Sequence, residues 1–192
     1  MNLPNKLTVL RIIMIPIFVA AYFITAIPYN YLIAVIIFAL AAFTDFLDGR
    51  IARKYGLVTD LGKFLDPIAD KILVSSALII MLVVPNGGAA ILPDYFAIAV
   101  ALILARELMI SGFRMVAASK GKVLAADKSG KIKTFVQDAA ICLLLIGAQF
   151  QAGLYTPVNI AGLIALGIAT ALTVYSGAEA VVKNRGVLKG DK

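Results

Sequence analysis

The chain reads as an all-α integral membrane protein, a bundle of six transmembrane helices with both termini on the cytoplasmic side. Three observations predict this. First, 61% of the 192 residues are hydrophobic and the mean hydropathy is +0.96, whereas soluble domains use roughly 45–50% apolar residues. Second, the apolar residues gather in runs at 9–27, 31–55, 60–84, 94–118, 132–150 and 156–182. Each is close to the ~20 residues that carry a helix across the hydrocarbon core. Third, the connections near 27–31, 85–94 and 150–157 contain no Lys or Arg. The opposite ends carry Lys6, Arg11, Lys54, Lys120 to Lys133 and Lys183 to Lys192. That alternation is the positive-inside pattern.

The first run has no small-residue cleavage pattern and is expected to stay as a spanning helix. Before it, LPNKLTVLRIIMIPIF sets Asn5, Thr8 and Arg11 three residues apart, roughly along one helical face. Tyr29, Tyr31, Tyr95 and Tyr155 fall at the uncharged ends, where an aromatic belt belongs. Pro85-Asn86-Gly87-Gly88 and Thr156-Pro157 are turn signals. No loop exceeds about fifteen residues, so one membrane domain over 1–182 is expected, followed by a basic cytoplasmic tail over 183–192. In the sixth run Gly162, Ala165, Gly167 and Ala171 are small enough to admit close helix packing.

Composition also removes function classes. Histidine is absent and Cys142 is the single cysteine. The commonest general base, the commonest transition-metal ligand and an intramolecular disulfide are thereby excluded. The net charge of +7 sits at the inner ends of the helices, where it meets anionic lipid rather than nucleic acid.

Chemistry concentrates in TDFLDGRIARKYGLVTDLGKFLDPIADK. Asp45, Asp48, Gly49, Ala52 and Arg53 fall at i, i+3, i+4, i+7 and i+8 and share a helical face. Gly62, Asp66 and Asp70 fall at i, i+4 and i+8 on the next helix. The short turn between makes these helices antiparallel neighbours, so their acidic faces can meet. Asp45 is fourteen residues past Tyr31, ~21 Å down the helix. Carboxylates at that depth are costly and mark function by default. Without His or paired Cys, four carboxylates suit hard divalent cations. Two such cations would serve in-line displacement at phosphorus, and Arg53 could grip a phosphate oxygen with its fork. Gly49 and Ala52 leave room beside them. The competing reading is a set of interfacial ion pairs with Arg50, Arg53, Lys54, Lys63 and Lys71.

Asp45-x₂-Asp48-Gly49-x₂-Ala52-Arg53-x₈-Gly62-x₃-Asp66-x₃-Asp70 resembles, position for position, the signature of the CDP-alcohol phosphotransferase family. Eight fixed residues over 26 positions carry the match. The resemblance implies a six-helix membrane enzyme, a homodimer, that displaces CMP from a CDP-linked substrate with an acceptor hydroxyl. It implies two divalent cations, Mg²⁺ or Mn²⁺, held by Asp45, Asp48 and Asp66 and by Asp66 and Asp70, with Asp70 as general base. Gly49, Ala52, Arg53, Thr59 and Gly62 would take the CDP moiety of CDP-diacylglycerol, with Asn5 and Thr8 as early nucleotide contacts.

NLPNKLTVLRIIMIP, RELMISGFR and GKIKTFVQ look like the bacterial branch of the family whose acceptor is sn-glycerol 3-phosphate. The resemblance then implies transfer of the phosphatidyl group to that acceptor, in a bacterial plasma membrane, at a site facing the cytoplasm. Arg106 and Arg114 lie eight apart on the fourth helix. Lys131, Lys133 and Thr134 open the fifth. These five are the expected glycerol 3-phosphate ligands. Arg106, near mid-membrane, is equally readable as a partner of Glu107 or of another helix's acid. Gln137 and Thr134 are readable either as ligand contacts or as interhelical hydrogen bonds. Inositol phosphate, serine and phosphatidylglycerol are the alternative acceptors. A divalent-cation transporter is the rival from another class, since intramembrane carboxylates also bind transported ions.

Overall fold

The fold was analysed in a computed structural model, in which residues 2–55, 60–83, 94–119, 128–150 and 156–185 are described. Among the described residues there are six helices and no strand: α1 (Leu3–Phe23), α2 (Asn30–Tyr55), α3 (Asp60–Leu82), α4 (Asp94–Ser119), α5 (Lys128–Gln149) and α6 (Pro157–Lys183). Four are long and apolar enough to cross a membrane, over Asn5–Phe23, Asp94–Ala118, Ile132–Gln149 and Pro157–Lys183. Within α2 the described residues Asn30–Asp45 form a shorter apolar stretch, and α3 opens on DLGKFLDPIADK.

α1 starts earlier and stops earlier than its apolar run. Proline stands in its first turn, where a missing N–H costs nothing. The Ile24 N–H closes the end on the Ala20 carbonyl at 3.0 Å. Pro28 follows and biases Ile27 away from helical backbone, and Tyr29 turns the chain at a φ of 60°. Asn5, Thr8 and Arg11 are therefore inside the helix, not ahead of it.

The helices group into two compact units. The first holds α1, α2 and α3 with α5 from Ile141 and α6 through Gly162. Within it α1 packs on both α2 and α3. Tyr22 meets Tyr31 edge-on at 5.1 Å and Phe18 meets Phe38 at 5.7 Å. Arg11 meets Ala41. Falling numbers on α1 pair with rising numbers on α2, so the two run antiparallel. The Asn30 amide donates to the Tyr22 carbonyl at 2.9 Å, and the Leu32 N–H in the first turn of α2 donates to Gln149 Oε1 at 3.1 Å. That side chain supplies an acceptor for a helix-start N–H that has none within the helix. On α3, Gly62, Ala69, Leu73 and Ala77 form the buried stripe, and Asp66 lies on the same stripe between Gly62 and Ala69.

The buried face of α1 changes character along its length. Asn5, Thr8 and Arg11 are polar and buried, while Ile15, Phe18, Ala21 and Tyr22 continue the face with carbon. Leu10, Ile13 and Ile17 cover the opposite, exposed side. A polar site therefore lies at one end of this unit and an apolar core at the other.

α5 and α6 approach closely at two glycines. A Cβ on Gly162 would lie 2.8 Å from Leu144 Cγ, so the expectation that this glycine permits packing holds. Gly167 faces open space, and Ala171 is exposed. Neither meets another described helix, because the buried side of α6 there runs through Leu163, Leu166, Ala169 and Thr173. A Cβ on Gly147 would lie 1.8 Å from Oδ1 of the buried Asn159. Gly147→Ala is therefore expected to destabilise by about 2 kcal/mol, the usual size of an overpacking strain. Unfolding in an SDS titration measures it; an unchanged midpoint would show that Asn159 moves aside freely.

The second unit holds α4, α5 through Ala140 and α6 from Leu163. α4 buries Phe96, Ala99, Val100, Ile103, Ile110, Phe113 and Ala117, the three-and-four spacing of a helix with one inward face.

Candidate active site

The carboxylates of α2 and α3 are held from α1. Thr8 Oγ1, fully buried, donates a short hydrogen bond to Asp66 Oδ1. One turn further on, Arg11 places NH1 2.9 Å from Asp45 Oδ1. Its Nε donates to the Ala41 carbonyl at 3.2 Å, so the guanidinium is fixed at two points one turn apart on α2. The Thr44 hydroxyl donates to the same carbonyl at 2.6 Å. Thr8 and Arg11 are separated by ~4.5 Å of helix rise. One turn of α1 thus touches an aspartate from each of the two acidic helices and brings Asp45 and Asp66 to a common place.

Burial across this contact is unequal. The Arg11 side chain has 0% exposure and that of Asp45 42%. Asp66 and Asp70 are half-buried, Asn5 and Gly62 are buried. The donors are dry and the carboxylates are open on one side. Of the two readings of the acidic stretch, ion pairing is thus present at Asp45, where Arg11 of α1 is a partner.

Asp48, Gly49, Ala52 and Arg53 lie on α2, and their side chains are outside the described set, as is Thr59. Among the described residues no group of three His, Cys, Asp or Glu side chains is close enough to hold a metal ion. The donor chemistry of those described is nevertheless all carboxylate oxygen, open on one side and oriented on the other, which fits a hard divalent cation.

A second polar cluster lies in the second unit. Glu107 Oε1 accepts from Arg106 NH1 at 3.0 Å and from Lys133 Nζ at short range. Arg106 NH2 donates to Ser176 Oγ at 2.8 Å, and a Cβ on Gly177 would lie 3.0 Å from Arg106 Cγ. One carboxylate oxygen thus ties α4 to α5, and one guanidinium ties α4 to α6. Arg106 does have Glu107 as its partner. Lys133 and Gln137 are buried, while Arg114 is exposed. The Thr134 hydroxyl donates to its own helix, at the Gly130 carbonyl, 3.1 Å away. The Lys131 side chain lies outside the described set. Glu179, another membrane-segment acid, pairs with Lys183 one turn on.

Two of these roles have no direct signal in the sequence. Arg11 reads as an inner basic anchor, although its three-residue spacing from Thr8 puts it on the polar face, and nothing marks Ser176.

A family model described as CDP-alcohol phosphatidyltransferase matches residues 1–175. The chain belongs to that family. Within it, this CDP-alcohol phosphatidyltransferase is 40% identical over 200 residues to the CDP-diacylglycerol–glycerol-3-phosphate 3-phosphatidyltransferase of Bacillus subtilis, covering 98% of this chain and 97% of the relative. It is 40% identical to the protein of the same name from Rickettsia felis, covering 92% of this chain and 91% of the relative. A probable phosphatidylglycerophosphate synthase of Mycobacterium tuberculosis is 39% identical, with 95% and 81% covered. A CDP-alcohol phosphatidyltransferase has to bring a diphosphate and an acceptor hydroxyl together.

Proposed function

We propose that the chain is a phosphatidylglycerophosphate synthase: it transfers the phosphatidyl group of CDP-diacylglycerol to sn-glycerol 3-phosphate and releases CMP. The observation that carries this is the similarity to relatives of that activity over nearly the whole length of both chains. The carboxylate site built by α1, α2 and α3 supports it.

The acceptor's terminal hydroxyl oxygen bonds to the β-phosphorus of CDP-diacylglycerol. The bond from that phosphorus to the bridging oxygen breaks, and CMP leaves with the electron pair. Asp70 accepts the hydroxyl proton as general base. Asp45, Asp48, Asp66 and Asp70 hold two divalent cations, Mg²⁺ or Mn²⁺. Bound there, they neutralise the diphosphate and the departing charge. Asn5, Thr8, Gly49, Ala52, Arg53, Thr59 and Gly62 take the CDP moiety. Arg114, Lys131, Lys133 and Thr134 take the acceptor phosphate, with Arg106 fixed beside Lys133 through Glu107. The enzyme works as a homodimer in the bacterial plasma membrane, with the site on the cytoplasmic side and the acyl chains among the lipid tails.

Release of labelled CMP from CDP-diacylglycerol by the purified chain tests this. Release is expected only with glycerol 3-phosphate present, and EDTA is expected to abolish it until Mg²⁺ is restored. Release with serine, inositol phosphate or phosphatidylglycerol instead would reassign the acceptor. Metal-dependent ion flux with no CMP release for any acceptor would overturn the enzyme reading.

A further inference from the structure

We propose that α1 is the positioning element of the carboxylate site, with Thr8 holding Asp66 and Arg11 holding Asp45 in the orientations in which they take a divalent cation. This rests on the metal reading above. In this role both residues act through a carboxylate.

The burial of the donors is the first ground. Thr8 and Arg11 both have 0% exposure in a helix apolar enough to span a membrane. A buried arginine there is costly. Contacts of the two side chains offset that cost, and each touches an aspartate on a different acidic helix. The second ground is repulsion. Asp66 and Asp70 are like charges one turn apart, which push each other away. A donor fixed from a third helix keeps one of them in place before any cation arrives. The third is that Arg11, anchored by its Nε on the Ala41 carbonyl, sets NH1 2.9 Å from Asp45 Oδ1 as an ion pair, which draws that carboxylate toward α1. Partners that orient ligating carboxylates from behind tune metal affinity strongly.

A mere helix-packing contact would leave metal affinity unmoved, so binding and not turnover is the readout. Wild type, Thr8→Val, Thr8→Ser and Arg11→Lys are titrated with Mn²⁺ in detergent micelles, following loss of the free-ion EPR signal. Valine keeps the threonine's shape and lacks its donor; lysine keeps the charge and loses the fork. Thr8→Val and Arg11→Lys are expected to raise the Mn²⁺ Kd about 10-fold, the lower end for such partners, while Thr8→Ser stays within about 2-fold of wild type. Mn²⁺ binding by Thr8→Val and Arg11→Lys at the wild-type Kd would overturn the proposal, with or without a raised KM for CDP-diacylglycerol. A wild type that releases CMP but binds no Mn²⁺ would overturn it together with the metal reading and leave the enzyme reading standing.

Discussion

Asp70→Asn is expected to lower kcat by about 10³, within the 10²–10⁴ that a positioned general base contributes, with little change in KM for either substrate. The amide keeps the size of the side chain and can still lend an oxygen, but it cannot accept the hydroxyl proton. Asp70 is suited to the role by its place on α3. It follows Asp66 by one turn and is half-buried, whereas Asp66 lies on the buried stripe with its Oδ1 taken by Thr8. Steady-state CMP release at saturating metal measures the effect. Turnover of Asp70→Asn near the wild-type rate would remove Asp70 from the role of base and leave the proton to another acceptor.

Much of this architecture could be read without coordinates, for a local reason. A helix repeats every 3.6 residues, so i, i+4 and i+8 spacing alone puts Asp66 on one face with Gly62 and Asp70. The helix limits followed from hydropathy except at α1 and at the start of α5, which opens four residues early at Lys128. At α1 hydropathy reports where carbon is dense, while the backbone obeys the prolines in the first turn and after Ile27. The apolar run is shifted relative to the helix, so Asn5 and Thr8 precede the run although both lie within α1. What no periodicity could supply was pairing across long separations. Arg11 meets Asp45 across 34 positions of chain. A positive-inside count treats it as one more surface cation, although it is the largest of the fully buried side chains. The same holds for Lys133. Its charge was readable and its service to Glu107 was not, because that contact depends on how α5 packs on α4. Arg106 shows the opposite case. Its partner is the adjacent residue, and the pairing was one of the two readings open from sequence.

Asp45→Ala is expected to cost stability as well as activity. Removing the carboxylate leaves the guanidinium of Arg11 buried without its counter-ion, and breaking a buried pair from one side costs roughly 3–5 kcal/mol. Because the Asp45 side chain is 42% exposed, water can reach part of the vacated space and the low end, ~3 kcal/mol, applies. Arg11→Met with Asp45→Asn should recover most of that loss, since replacing both members of a buried pair by groups of similar volume is often neutral. The double variant should stay inactive, because an amide is a poor ligand for a divalent cation in place of a carboxylate. SDS-titrated unfolding and CMP release, run on the same preparations, separate the two effects. Recovery of stability without recovery of turnover assigns Arg11 and Asp45 a shared structural bond and Asp45 alone a chemical duty. Asp45→Ala unfolding at the wild-type SDS fraction would mean that the charge of Arg11 is balanced by another group, and that Asp45 stands beside it only for the metal.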